Sequence, residues 1–498
     1  MFNSHAKQQK FTVHRILDIK KIFLLILFST LLAFTLSTLH AEPFGIHVEP
    51  STERTTFLSQ NGITWEFENE VEYGQFVNGD WWIVGPVTVN SVSPEPNTVD
   101  GVSINGSMIN PVRDQAYDSR AQGYNADLEV NFPITIDYEA SLCSTISREL
   151  RLSEPLRPAV QTGAVLTVLL EKPPENSFRP GIIGSTKTLY NADDIDWNLL
   201  PNLSVPSGTS PRGVKDMNKE LDGPRFLHNL SSWSGYIIPK DSVWSNYHGN
   251  IALDLAEAAT LIISDAEQGT AEKSKLVEYY IQLGIDYYSF QLYCKGGAGE
   301  YNYFFPIVFT GLMLGEEDMS RLFAEGRNEK PDYYQEMVGS KPRLYYGIET
   351  EQVRSSILPV RNVADTIWLG GDTPYGQDTW SGYWARTGRN PARYNTGLGH
   401  EQLHPDEWDE YAPKYSYKNL HSRYVVGFTI AAWAMSALDL IGNDAYVPYA
   451  IRWMYETDDI VTDSHATIPD HTPYAYGGTS FIQGMWEEYG NNITNDYY

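Results

Sequence analysis

The spacing of apolar residues changes once along this chain, and that change limits the folds open to it. Before about residue 205 they alternate: Ile63, Trp65 and Phe67 are separated by polar neighbours, as are Leu128, Val130, Phe132, Ile134 and Ile136. A period of two turns one side of a strand toward a core. The run 165–170 is nearly all apolar, another strand pattern, and Asn61-Gly62, Asn78-Gly79 and Asn105-Gly106 supply turn chemistry between strands. Past the Pro-, Ser- and Gly-rich stretch 202–224, which reads as a linker or surface loop, the period becomes helical. Ile251, Leu255, Ala259 and Ile262 share a face, as do Leu276, Tyr280, Leu283 and Tyr287, and later Val426, Ile430, Trp433, Ala437 and Ile441. The expected architecture is multidomain α+β: a β-sandwich-like domain over 42–205, then an (α/α) barrel, a toroid of helical hairpins, over 206–498. Residues 328–424, full of Trp, Tyr, Gly and Pro, read as long loops, which in compact domains are usually functional.

The first 41 residues read differently. Arg15, Lys20 and Lys21 precede a mostly apolar run over 22–36, and small and polar residues lead to Ala41, the layout of a secretory signal peptide. Leu39 stands where a small residue is usual, so an uncleaved anchor is the alternative; the run is shorter than the roughly 20 residues of a membrane span. The expected location is secreted or periplasmic, with no membrane contact beyond this segment. A net charge of −27 excludes nucleic acid as a partner, because such binding is driven by a basic surface. Cys143 and Cys294 are too few for a disulfide framework; two unpaired thiols are favoured over one bridge.

The chemistry-bearing residues cluster at expected helix ends. His248, in Trp-Ser-Asn-Tyr-His-Gly-Asn (244–250), opens the first helical segment; Tyr301 and Tyr303 follow the Gly-Gly-Ala-Gly turn (296–299) after the next. A histidine and a tyrosine at adjacent helix ends can flank one sugar, removing a carbon-bound proton and protonating a leaving oxygen. Asn419, His421, Arg423 and Tyr424 form a second polar group. Arg386, Arg389 and Arg393 stand among aromatic residues; guanidinium forks match carboxylates, and solvated surface charge is the plain alternative. The aromatic segment 73–87, with Trp81 and Trp82, is either a hairpin filling a core or a sugar-stacking platform. His400-Glu401-Gln402-Leu403-His404 has the spacing of zinc metalloproteases, but Gly397, Gly399 and Pro405 leave no room for the required helix. A structural metal on His400, His404 and Asp406 is the other reading of that segment.

The segment Tyr-Gly-Gln-Phe-Val-Asn-Gly-Asp-Trp-Trp (73–82), the helix at His248 and the glycine turn leading into Phe-Pro-Ile-Val-Phe-Thr-Gly (305–311) resemble secreted bacterial polysaccharide-degrading proteins, nearest the glucuronan and alginate lyases of polysaccharide lyase family 38. The resemblance covers 226–454 and extends loosely to the N-terminal half. It implies an α/α-barrel and β-elimination in a uronic-acid polymer, with no cofactor and no metal. His248 and Tyr303, with Tyr301 beside them, would divide base, acid and neutralising roles, and Asn191 and Arg423 would neutralise the substrate carboxylate so that the adjacent C–H becomes acidic. Asn250, His421, Trp81, Trp82 and the arginines 386, 389 and 393 would hold the polymer. Glu300 and Asn302 depart from the basic residues the likeness leads one to expect. Polyuronates are repelled at long range by so acidic a chain, so the arginine group would have to overcome that field locally. A glycoside hydrolase using two carboxylates, drawn from Glu300, Asp372 and Glu401, is the competing expectation. A non-catalytic carbohydrate-binding protein is the third.

Overall fold

A computed structural model describes residues 53–112, 114–121, 123–148, 159–227, 237–238, 248–293, 300–324, 417–441, 447, 450–451, 454 and 479–497. The signal-peptide segment, Cys294, the arginines 386–393 and the His400–His404 motif lie outside the described residues.

The N-terminal strands are β1 (Arg54–Gln60), β2 (Ile63–Gln75), β3 (Trp81–Val84), β4 (Val87–Ser93), β5 (Asn97–Val99), β6 (Val102–Ile104), β7 (Ser107–Ile109), β8 (Ile134–Ile136), β9 (Ala140–Ser147) and β10 (Val160–Leu169). Asn61 and Gly62 both take positive φ, 53° and 80°, so β1 and β2 are joined by the tight turn that Asn-Gly favours. The alternation of Ile63, Trp65 and Phe67 is met: all three are buried.

The two-sheet sandwich is not. Eight strands form one sheet in the order β7-β9-β10-β3-β2-β4-β8, with β1 also on β2. The cause is the length of β2. Its first part pairs with β1 and β4, while Tyr73, Gly74 and Gln75 pair with β3, so one strand serves both halves and the sheet closes around its core as a half-barrel. Trp65 crosses that core, its indole N–H donating to Ser144 Oγ on β9 at 3.0 Å. β10 is covered on both faces. Ala164, Leu166 and Val168 join the half-barrel core, whereas Val160 and Val165 join Met108 and Cys143 in a core shared with the helices. That explains why 165–170 reads as a continuous apolar run.

The remaining elements are α1 (Val214–Leu221), the short strands β11 (Phe226–Leu227) and β12 (Ile237–Ile238), α2 (His248–Ile262), α3 (Ala271–Tyr293), α4 (Glu300–Met313), α5 (Glu317–Ser320), α6 (Tyr417–Ala434) and α7 (Ser480–Tyr497). Gly163 on β10 lets Phe226 approach; a Cβ there would lie 2.1 Å from the Phe226 ring. α3 packs along α4, α2 touches both of them, α6 lies on α2, and α7 on α6. No closed ring of helical hairpins occurs among the described residues, which corrects the toroid expectation. A helical period reports which face of a helix is apolar, not which partners cover it. Here part of the cover comes from the sheet side, through residues 179–183 laid along α3. No described helix is long and apolar enough to cross a membrane.

Candidate functional site

Contacts fix how α2, α3 and α4 are aligned. Tyr280 of α3 donates its hydroxyl to Leu255 O of α2 at 3.1 Å, and its ring meets Phe309 of α4 edge-on with centroids 5.2 Å apart. Thr310 Oγ1 donates to Ile281 O, while a few residues further along α3 Gly284 faces the Pro306 carbonyl, so α4 runs antiparallel to α3. Lys273, near the start of α3, donates to Ser264 O and Ala266 O just past the end of α2, so α2 is antiparallel to α3 as well. α2 and α4 are therefore parallel. α2 begins seven residues before Leu255 and α4 nine before Phe309, roughly 10 and 14 Å from the Tyr280 level at about 1.5 Å per residue. The starts of both helices, with His248 first in α2 and Tyr301 and Tyr303 in the first turn of α4, share one end of the helical layer. The side chains of His248, Asn250, Tyr301, Tyr303, His421 and Arg423 lie outside the described residues; their backbones are helical, the last two in α6.

Beneath that end lies a buried charge cluster. Arg179 donates Nη1 and Nη2 to the two oxygens of Asp286 on α3, at 2.9 and 2.6 Å, and Nε to Asp80 in the β2–β3 hairpin at 2.5 Å. Gln282 exchanges two bonds with the Arg179 backbone, accepting from its N–H and donating to its carbonyl, each at 3.0 Å. Burial opposes the charge on Arg179, but Asp286 and Asp80 outweigh it and hold its pKa above the ordinary range. The chain then follows α3 toward its C-terminus. Gly181 passes so close to Ser289 that a Cβ would lie 2.5 Å from the serine Cβ, and Ile183 N–H donates to Ser289 Oγ.

Residues 184–188, Gly-Ser-Thr-Lys-Thr, make the turn at this end. Lys187 is buried, and its Nζ donates to the carbonyls of Gly181, Ile182 and Gly184 at 3.0, 3.2 and 2.9 Å. Burial lowers its pKa to about 8. Nearby Cys143 is a free, buried thiol pushed up to about 12 by the same cause, which makes it inert as a nucleophile.

Two sequence assignments need correction. Asn191 caps a short 3-10 turn (Ala192–Asp194): its Oδ1 accepts from Asp193 N–H at 2.9 Å and its Nδ2 donates to Glu175 O at 2.8 Å. Both ends of the amide are committed locally, and the segment is tied to the C-terminal end of α4 by Asp196 N–H donating to Met313 O. The structure does not bring Asn191 to the end where α2 and α4 start. Trp82 is buried with Phe76 and Leu169, its ring lying over Gly74, so it packs the hairpin and offers no face to a sugar. Trp81 is half-buried, with its N–H donated to Ser59 O and its ring edge-on to Tyr73.

A separate cavity of about 410 Å³ lies between Pro206–Thr209 and the first turns of α7, and none of the residues selected from the sequence lines it. Sequence reasoning passed over Arg179, Asp286 and Lys187. Their signal was present: single charges inside the apolar runs Phe-Arg-Pro-Gly-Ile-Ile (178–183) and Leu-Gly-Ile-Asp-Tyr (283–287).

The architecture defined here is a half-barrel sheet pinned to a helical layer by a buried arginine. No protein-family model, curated protein or solved structure matches the chain.

Proposed function

We propose that this protein is a polysaccharide lyase that cleaves a uronic-acid-containing polymer by β-elimination at the end of the helical layer where α2 and α4 begin. The observation that carries the reading is the shared end of those two parallel helices, which sets the backbones of His248, Tyr301 and Tyr303 on one side of the layer. Helix starts also present backbone N–H groups without intrahelical acceptors and the positive end of the helix dipole. Both favour the negative charge that develops when the carbon beside the uronate carboxylate loses its proton.

One of His248 and Tyr303 takes that proton. The electron pair left behind forms the C=C bond, the glycosidic C–O bond breaks, and the departing oxygen is protonated by the other group. Arg423, on the α6 helix that packs on α2, is assigned to the substrate carboxylate, and Asn250 and His421 to substrate binding. Asn191 and Trp82 are removed from the set, and the arginines 386, 389 and 393 keep the role given by their spacing with aromatic residues.

The hydrolase reading has one supporting observation, Glu300 as the first residue of α4. Incubation of the full chain with polyglucuronate or alginate separates the two. Elimination generates ultraviolet absorbance from the new double bond together with new chain ends, whereas hydrolysis generates reducing ends without absorbance.

A further inference from the structure

We infer that the loop Gly184–Thr188 is a polysaccharide-binding rim that holds sugar hydroxyl groups, with Lys187 as its positioning residue. The inference rests on the carbohydrate reading above and adds a binding element that the sequence did not single out.

Arg179 lies opposite Gln282 and Asp286, Gly181 opposite Ile285 and Ser289, and Ile183 bonds to Ser289, so the chain climbs α3 toward the end where α4 starts. Phe178 N–H then bonds to Tyr190 O, which closes the excursion. Residues 184–188 are its tip. They sit at the end that carries the starts of α2 and α4.

Ser185, Thr186 and Thr188 are exposed, and Lys187 between them is buried. A Gly-Ser-Thr-Lys-Thr turn with a free ammonium would suit an anionic group. Here the ammonium is spent on three carbonyls, Gly184 of its own loop and Gly181 and Ile182 just before it. What remains outward at Ser185 and Thr188 is hydroxyl, which both donates and accepts and so matches the alternating donors and acceptors of sugar hydroxyls rather than a carboxylate. Three bonds from one buried Nζ also pre-order the turn, so less freedom is lost when a polymer chain settles on it. Recognition of the uronate charge is left to the arginines.

The test measures binding directly, with the full chain carrying His248→Ala so that the polymer persists. Titration with polyglucuronate and with alginate is compared between that protein and the same protein carrying Ser185→Ala and Thr188→Ala. Loss of two hydroxyl contacts is expected to weaken binding about tenfold, with the thermal midpoint unchanged because both side chains are exposed. In the otherwise wild-type chain, Lys187→Gln is expected to raise KM while leaving kcat within about twofold, since the loop holds substrate without touching the reacting atoms. Unchanged affinity in the double variant overturns the inference, even where double-bond absorbance still forms and the lyase reading stands. A fall in kcat at constant KM for Lys187→Gln overturns its positioning role. Absence of binding to either polymer overturns the inference and the carbohydrate reading together.

Discussion

Asp286 receives both terminal nitrogens of Arg179, at 2.9 and 2.6 Å, with both side chains buried. Because Arg179 also bonds to Asp80, one guanidinium ties the β2–β3 hairpin to α3. Truncating Asp286 leaves Asp80 to balance the arginine but strips the two terminal guanidinium nitrogens of their carboxylate in the interior. Asp286→Ala is expected to cost about 3–5 kcal/mol in chemical unfolding. A loss below about 1 kcal/mol would show that the pair is not what joins sheet to helix.

At Gly284 α3 and α4 approach closely: a Cβ would lie 2.0 Å from Thr310 Oγ1 and 2.3 Å from Pro306 O. Gly284→Ala is predicted to force the two helices apart at a cost of about 1–3 kcal/mol or more, against the gain that Gly→Ala normally brings within a helix. Unfolding midpoints of the variant and the parent check the sign.

Glu278 on α3 is half-buried, and burial, only partly offset by Lys275, raises its pKa from 4.5 to about 7. The folded state therefore holds this proton more tightly than the unfolded chain. Its contribution to stability is full below pH 4.5 and is lost as pH rises through 7, so the carboxylate is a cost at neutral pH. Glu278→Gln should leave stability unchanged at pH 4 and raise it at pH 8, by at most about 3 kcal/mol and by less where water reaches the group. Equal effects at both pH values would contradict the shift.

Trp82 and Trp81 separate packing from sugar contact. Trp82→Ala removes a buried indole and is expected to cost about 3–5 kcal/mol, measured by thermal or urea unfolding. Trp81→Ala, at a half-buried site, should cost less. A Trp82→Ala protein of unchanged stability but impaired polymer binding would restore the stacking role.

Local features of this fold are legible in the sequence, and long-range ones are not. Ile63, Trp65 and Phe67 reveal their strand because alternation is a property of neighbours, and Asn61-Gly62 reveals its turn because only certain residues accept positive φ. The switch of β2 from one half of the sheet to the other appears only in the pairing of Tyr73–Gln75 with β3, which no local pattern records. Helical spacing through Leu276, Tyr280 and Leu283 marks α3, yet says nothing of whether the helices close a ring. The same limit applies to the site. His248 and Tyr303 stand out by their place at helix ends, whereas the pairing of Arg179 with Asp286 joins residues more than a hundred positions apart. Asn191 misled because an amide that caps a turn looks, in sequence, like one free to bind a ligand.

The central claim is that elimination takes place where α2 and α4 begin. It is tested most directly by the rate of double-bond absorbance on polyglucuronate and alginate for the parent, His248→Ala and Tyr303→Phe. The account predicts absorbance with the parent and rates lower by about 10² to 10⁴ in each variant, with thermal midpoints retained. Undiminished absorbance in both variants, or reducing ends formed by the parent without absorbance, would contradict it.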